Sequence, residues 1–122
     1  MKRNDQKYLC IGSYLQLLGI PVSMTGYAYI CDAVYLILED FNVLYSATKK
    51  IYPIIAELNG VSSSSVQKCI SNAVRTACQD PNDKMKQVFE NYLKEGSKRS
   101  LYPTEFIGKV YWNILLEIKQ MN

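Results

Sequence analysis

The sequence contains no histidine, which removes the most common general base of enzymes and the most common metal ligand of proteins. It has four cysteines, Cys10, Cys31, Cys69 and Cys78, but no two of them form a C-x-x-C pair. A zinc ribbon is therefore not expected, and we predict neither a metal site nor a cofactor. Isolated cysteines at apolar helix positions are typical of a reduced, cytoplasmic protein.

Strong charge and long hydrophobic runs are also lacking. Charged residues make up 20% of the chain and the net charge is +3, which permits nucleic-acid binding without requiring it. The longest apolar run, Ala33 to Leu38, is far shorter than the ~20 residues that a membrane helix needs. Residues 1–7 are polar and do not resemble a signal peptide. We therefore expect no membrane partner.

What the sequence does contain is apolar residues at helical spacing. The 122 residues suffice for one domain, residues 1–122, with a short polar tail at 1–7. No stretch alternates with a period of two, so we predict a compact all-α domain of about six helices. The first helix is expected to bury Leu9, Cys10, Tyr14, Leu17 and Leu18. The predicted helices are Asp5–Leu18, Thr25–Asp40, Ser46–Asn59, Ser62–Gln79, Met85–Lys94 and Thr104–Gln120, with an exposed loop at Glu95–Ser100 before the last. Because Pro53 lies inside the third helix, we expect that helix to start or bend near Tyr52.

The third and fourth predicted helices have the spacing of a helix-turn-helix. Ala56 is small where a second helix would cross, and Gly60 tolerates the left-handed backbone of a tight turn. Val66, Cys69 and Ala73 then form an apolar stripe that can seat the second helix, which Ser62 or Ser63 can cap. The alternative is an ordinary pair of helices joined by a glycine.

If the motif binds DNA, the polar side of the fourth helix faces the bases. Glutamine and asparagine suit adenine, lysine suits guanine, and serine is permissive. The candidate base-facing residues are Ser63, Ser65, Gln67, Lys68, Ser71 and Asn72. Lys49, Lys50 and Arg75 are candidate phosphate contacts, because cations there would release counterions from the duplex. The alternative is that these side chains are simply solvated.

Several runs of sequence, taken together, match a known pattern. They are Gly19-Ile20-Pro21-Val22, Gly26-Tyr27-Ala28-Tyr29, the segment from Thr48 to Ala56 with its internal Tyr52-Pro53, and Pro103-Thr104-Glu105-Phe106-Ile107. From about Ile11 to Leu115 the chain resembles the C-terminal effector domain of the response regulator that initiates sporulation. Here it is expected as a stand-alone domain without the receiver.

The resemblance implies six helices, with a helix-turn-helix in the third and fourth, and binding to short promoter boxes. The reading face departs from the family pattern. Ser65 stands where the family usually has arginine, Gln67 and Lys68 where it has glutamate and arginine, and Ser71 and Asn72 where it has arginine and histidine.

The function that the sequence favours is therefore a DNA-binding transcriptional regulator that reads the major groove with helix 62–79. Its expected partners are double-stranded DNA, a second copy as a homodimer or in tandem on DNA, and RNA polymerase. The alternative is a protein-interaction module that binds the full-length regulator or RNA polymerase. Catalysis is not expected, since no histidine can activate the serines at 62–65.

Overall fold

A computed structural model describes residues 4–91, 93 and 101–120, and the described residues are almost entirely helical. They contain no strand, and the predicted all-α fold is confirmed. The α-helices are α1 (Asp5–Leu17), α2 (Thr25–Glu39), α3 (Tyr52–Asn59), α4 (Ser63–Gln79), α5 (Asp83–Val88) and α6 (Pro103–Gln120). The end of the predicted fifth helix, at Tyr92 and Lys94, and the predicted loop at Glu95–Ser100 lie outside the described residues.

Local side chains fix where three of the helices begin. Asn4 caps α1 by accepting a hydrogen bond from the Lys7 backbone N–H at 3.2 Å. Ser62 caps α4 through the Ser65 N–H at 3.1 Å, and Asn82 caps α5 through the Met85 N–H at 2.8 Å. Each cap satisfies a backbone donor that the helix cannot, which is worth about 1 kcal/mol. Ser62, one of the two predicted caps of the fourth helix, is thus the one used.

Helix α2 is the centre of the core. Ile30, Val34 and Ile37 on this helix have no exposed surface, and α2 packs against α1, α4 and α6. The crossing with α4 is closest at Gly26, where a β-carbon would overlap the Cys69 carbonyl oxygen and lie 2.8 Å from the Ala73 β-carbon. Glycine at position 26 therefore sets how closely α4 lies on the core.

The buried face of α1 differs from the predicted one. Leu9 and Leu17, which were expected in the core, are 68% and 59% exposed, whereas Ile11 and Leu15 are fully buried. Tyr14 and Leu18 of the predicted face are buried as expected. The prediction was wrong because α1 carries apolar residues on two sides, so its periodicity cannot show which side packs against α2.

The predicted third helix, Ser46–Asn59, is not one continuous α-helix. Phe41–Ser46 forms a 3₁₀ helix, Ala47–Ile51 forms a wider π turn, and α3 begins at Tyr52. Pro53 provides a physical reason. It has no N–H for the Lys49 carbonyl, and in a regular α-helix its ring would collide with that carbonyl. A π turn moves the carbonyl away from the ring, since its hydrogen bonds span five residues.

Candidate nucleic-acid interface

The turn between α3 and α4 is built by Gly60. Its φ of 65° and ψ of 34° are left-handed, and no atom lies within 4 Å of where its β-carbon would be. Glycine is thus favoured here by the backbone conformation and not by lack of space. The N–H of the next residue, Val61, donates to the Ala56 carbonyl at 3.0 Å, which closes the end of α3. Two residues later α4 begins, so the two helices are joined by a short, hydrogen-bonded turn.

The inner side of α4 is fixed in the core. Val66, Ile70 and Ala73 have no exposed surface, and Val74 and Ala77 are 2% and 6% exposed. This stripe rests on α2 and α3, with smaller contact to α6. Of the predicted stripe, Cys69 is only partly buried. Because the inner stripe is fully packed, the direction of the outer side of α4 is fixed as well.

The outer side of α4 is polar and cationic at its centre. An α-helix turns by roughly 100° per residue, which places Ser64, Lys68, Ser71 and Arg75 opposite the buried stripe. Ser64, Lys68 and Arg75 are exposed, and Ser71 is partly buried. We call these four residues the α4 face. Ser64 was not among the predicted contacts, although the same periodicity that identified the buried stripe would have found it.

The other predicted base-facing residues lie around this centre. By helical phase, Asn72 and Ser65 flank the α4 face on one side and Gln67 flanks it on the other. Gln67 is exposed, whereas Asn72 and Ser65 are partly buried. Ser63 lies beside the buried stripe and is itself partly buried, so it is the predicted residue farthest from the centre of the face.

Two of the predicted contacts are coupled. Arg75 donates from Nη2 to the Asn72 side-chain oxygen at 2.6 Å, and Thr76 Oγ1 donates to the Asn72 backbone carbonyl at 2.8 Å. The Asn72 amide therefore orients the guanidinium along the helix surface. Their spacing of three residues is the signal that could have predicted the pair, since such residues are neighbours on a helix.

Lys49 and Lys50 lie in the π turn immediately before α3. Both are exposed. They are consecutive residues, so they project in different directions, and the width of the π turn sets those directions relative to α3. They are thus placed next to the α3–α4 pair but on a different element from Lys68 and Arg75.

The net positive charge of the chain resides in this part of the molecule. Residues 41–79 contain four cations, Lys49, Lys50, Lys68 and Arg75, and a single anion, Glu57. Elsewhere, ten basic residues are balanced by ten acidic ones. Helix α4 itself has no acidic residue, so nothing on it would repel a polyanion.

Two titratable groups on α3 and α4 have pKa values raised by burial. Burial raises the pKa of the Tyr52 phenol at the start of α3 and of the Cys78 thiol near the end of α4. Raising the pKa of these groups favours their uncharged forms. Among the described residues there is no cluster of cysteine, aspartate and glutamate suited to a metal ion. None of the described helices is long and apolar enough to cross a membrane.

These features define an all-helical domain in which two helices, joined by a glycine turn, present a polar and cationic surface. The chain belongs to the family described as the sporulation initiation factor Spo0A C terminal, whose model matches residues 11–114. The resemblance noted from the sequence is thereby confirmed. The match includes all of α2, α3, α4 and α5, and thus the whole of the candidate interface.

Proposed function

We propose that this protein is a sequence-specific DNA-binding regulator of transcription that reads the major groove with helix 62–79. The observation that carries the proposal is the two-sided character of α4. Its inner stripe is packed in the core, and its outer face is polar, cationic and free of carboxylates. An α-helix of this kind fits the width of the major groove, with its side chains toward the base edges.

In this proposal the predicted contacts divide into two groups. Lys68 recognises guanine, while Gln67 and Asn72 recognise adenine. Ser63, Ser65 and Ser71 are permissive contacts at the margins, with Ser63 the weakest because it lies beside the buried stripe. Lys49, Lys50 and Arg75 bind phosphates and supply affinity that does not depend on sequence.

One recognition helix contacts only a few base pairs, so a single copy would discriminate poorly among sites. We therefore propose that two copies act together, as a homodimer or in tandem on adjacent boxes. RNA polymerase is the further partner that a regulator of transcription would contact.

The experiment that tests the proposal is selection of bound duplexes from a random pool at two salt concentrations. We expect an enriched sequence whose affinity falls as salt rises. Lys68→Ala should weaken binding to that sequence by roughly 5- to 150-fold, the equivalent of losing a base contact worth about 1–3 kcal/mol, and should relax the preference at one position. Lys84→Ala, an equally exposed lysine on α5, is the matched control and should bind like the wild type. A pool without enrichment and no binding at low salt would contradict the proposal.

A second candidate is a protein-interaction module, which is favoured by the exposed aromatic residues of the other surface. Trp112 is 50% exposed and Phe41 is 36% exposed. Exposed aromatic side chains are typical of protein–protein interfaces. In this case purified RNA polymerase or the full-length regulator should bind the domain equally well before and after nuclease treatment, while no duplex is retained.

A further inference from the structure

A hydrogen bond on α4 joins two residues to which the proposed function gives separate tasks. Arg75 Nη2 donates to the Asn72 side-chain oxygen Oδ1 at 2.6 Å, and the two residues lie three positions apart on the helix. So short a bond is typical of a charged donor. Asn72 is partly buried and Arg75 is exposed, so the bond connects a candidate base contact to a candidate phosphate contact at the surface.

The guanidinium has no carboxylate on α4 to pair with instead. Residues 63–79 contain no aspartate or glutamate, and the other residues one turn away from Arg75 are Ser71, Cys78 and Gln79. A carboxylate would neutralise the arginine, whereas the Asn72 amide accepts a hydrogen bond and leaves the positive charge intact. A guanidinium also has five N–H donors. Arg75 can therefore hold Asn72 and bind a phosphate at the same time.

The bond also determines which end of the Asn72 amide is the acceptor. A half turn about the last side-chain torsion exchanges Oδ1 with Nδ2, and the two orientations have nearly the same shape. The exchanged orientation would bring the Nδ2 donors against the N–H donors of Arg75, so the bond would be lost. Arg75 therefore selects one orientation. The bond uses only one of the two lone pairs of Oδ1 and neither N–H of Nδ2, so the amide can still contact a base.

An amide of fixed orientation distinguishes adenine from guanine better than a free amide does. In the major groove adenine presents an acceptor, N7, and a donor, the N6 amino group, which match the Nδ2 donor and the Oδ1 acceptor of asparagine. Guanine presents two acceptors, N7 and O6. A free amide can turn its donors toward guanine, whereas a fixed amide would place Oδ1 against O6. The fixed orientation thus adds an unfavourable contact with the wrong base, which is a source of specificity.

We propose that Arg75 is a positioning residue for base recognition, which holds the Asn72 amide in the orientation that accepts adenine and opposes guanine. This inference rests on the proposed function, in which Asn72 faces the bases. It gives Arg75 a share in the sequence preference, which a phosphate contact alone does not have. Binding of a duplex would exclude water from the pair, and a hydrogen bond is stronger away from water.

The first test compares two duplexes that differ at one base pair. Asn72→Ala should relax the preference of a selected box at one position, and that position is made A·T in one duplex and G·C in the other. We expect Arg75→Ala to lower the ratio of the two affinities roughly threefold to tenfold, which is part of the discrimination that a bidentate contact supplies. If the ratio keeps its wild-type value while both affinities fall, Arg75 binds only phosphate and the inference is wrong.

Matched variants separate this role from the loss of a charge or of a local contact. Lys49→Ala removes a cation on the π turn and should weaken both duplexes by the same factor. Thr76→Val removes the hydrogen bond to the Asn72 backbone carbonyl but not the one to its amide, and it should leave the ratio unchanged. In an Asn72→Ala background, Arg75→Ala should weaken both duplexes equally, because no amide remains to be oriented. A change of the ratio in that background would show that Arg75 contacts the base pair itself and would overturn the inference.

The second test needs no DNA. NMR relaxation of the Asn72 Nδ2 group in the free protein measures how rigidly the amide is held. We expect a rigid amide in the wild type and a mobile one in Arg75→Ala. The amide of Gln67, on the same helix, is the internal reference and should not respond to the substitution. A wild-type Asn72 amide that is as mobile as that of Arg75→Ala would overturn the inference.

Together the two tests distinguish a failure of this inference from a failure of the proposed function. If the Asn72 amide is rigid but no duplex is enriched or bound, the proposed function fails and the role in base recognition fails with it. If a box is selected but Asn72→Ala relaxes no position in it, Asn72 contacts no base, and only this inference fails. The same holds if Arg75→Ala leaves the preference for adenine unchanged.

Discussion

The outward sides of α4 and α6 differ in their chemistry, although both helices pack their inner sides in the same core. Both helices bury a stripe of apolar residues in one core. Outward, α4 presents serines with Lys68 and Arg75 and no anion, whereas α6 presents Trp112 and Leu116 between charges of both signs. A polar surface whose charges are all positive suits a polyanion, whereas an apolar surface with charges of both signs suits another protein. The comparison therefore supports the proposal that the two surfaces have different partners.

The largest expected effect concerns how α4 is seated on the core. In Gly26→Ala the new β-carbon would overlap the Cys69 backbone carbonyl, which cannot move without shifting α4. We expect a loss of about 2–4 kcal/mol in the free energy of unfolding, in the range of severe overpacking. Urea denaturation would measure it.

Gly108→Ala on α6 is the matched control for this prediction. Its β-carbon would meet only an ordinary contact at 3.7 Å, and alanine favours a helix interior over glycine. We expect the same or a higher stability, by up to about 1 kcal/mol. Equal losses in the two variants would show that α2 and α4 do not cross as closely as the structure indicates.

The second effect concerns the phosphate contacts. Lys49→Ala and Lys50→Ala should each reduce the slope of log affinity against log salt by about one unit, because each removes one phosphate contact. The sequence preference should not change, since these lysines are proposed to touch no base. Titration of a selected duplex at several salt concentrations would measure the slope. Lys86→Ala on α5 is the control, and an equal change in that variant would indicate a nonspecific effect of charge.

The third and smaller effect concerns the π turn that carries these lysines. Pro53→Ala restores the N–H that a regular helix needs and removes the ring that opposes it. The π turn could then tighten into an α-helix and rotate Lys49 and Lys50 about the axis. We expect stability to change by less than about 1 kcal/mol, but affinity for the selected duplex to fall roughly threefold to tenfold.

Circular dichroism and a duplex titration of Pro53→Ala would measure both quantities. A variant with unchanged stability and unchanged affinity would show that the π turn has no part in positioning the lysines. The control is the double variant Lys49→Ala/Lys50→Ala, since adding Pro53→Ala to it should have no further effect on affinity.

The sequence predicted the helices better than it predicted their faces. Helix α2 and the Gly60 turn were expected because apolar spacing and glycine are local signals. On α1 the local signal failed because apolar residues follow helical spacing on two sides of the helix. Leu9 lies on one side and Leu15 on the other, and only the contact with α2 selects the side of Leu15. The role of Gly26 could not be predicted at all, because the carbonyl it approaches belongs to Cys69, a residue distant in sequence.

The same limit applies to the site. The inner stripe of α4 was largely predictable, and its phase also fixes the outer side, yet Ser64 was omitted and Ser63 was included. The bond between Arg75 and Asn72 depends on rotamers that spacing permits but does not determine. An open groove lined by Leu44, Val88 and Gly108 requires three elements, the 3₁₀ helix, α5 and α6, to come together. Nothing in the local sequence of any one of them indicates it.

The smallest effect is the pH dependence of the free energy of unfolding. We expect it to come from groups packed against the core and not from the exposed sides of α4 and α6. Burial raises the pKa of Cys78 and Tyr52 above their ordinary values of 9.0 and 10.0 in the folded protein. The folded state therefore holds these protons more tightly than the unfolded state. Their contribution to stability is complete below pH ~9 and is lost as the pH rises through the folded-state pKa values.

We accordingly expect the free energy of unfolding to fall above pH ~9, and to show no histidine-dependent step between pH ~5.5 and ~7.5, because the chain has no histidine. Urea denaturation from about pH 5 to about pH 10 would measure this. Cys78→Ala should reduce the alkaline loss, whereas Lys68→Ala on the α4 face should leave it unchanged. An alkaline loss that persists in full in Cys78→Ala would assign it to the tyrosines and to Cys10, whose pKa burial also raises. A loss that Lys68→Ala removes would place its origin on the surface and contradict the assignment to the core.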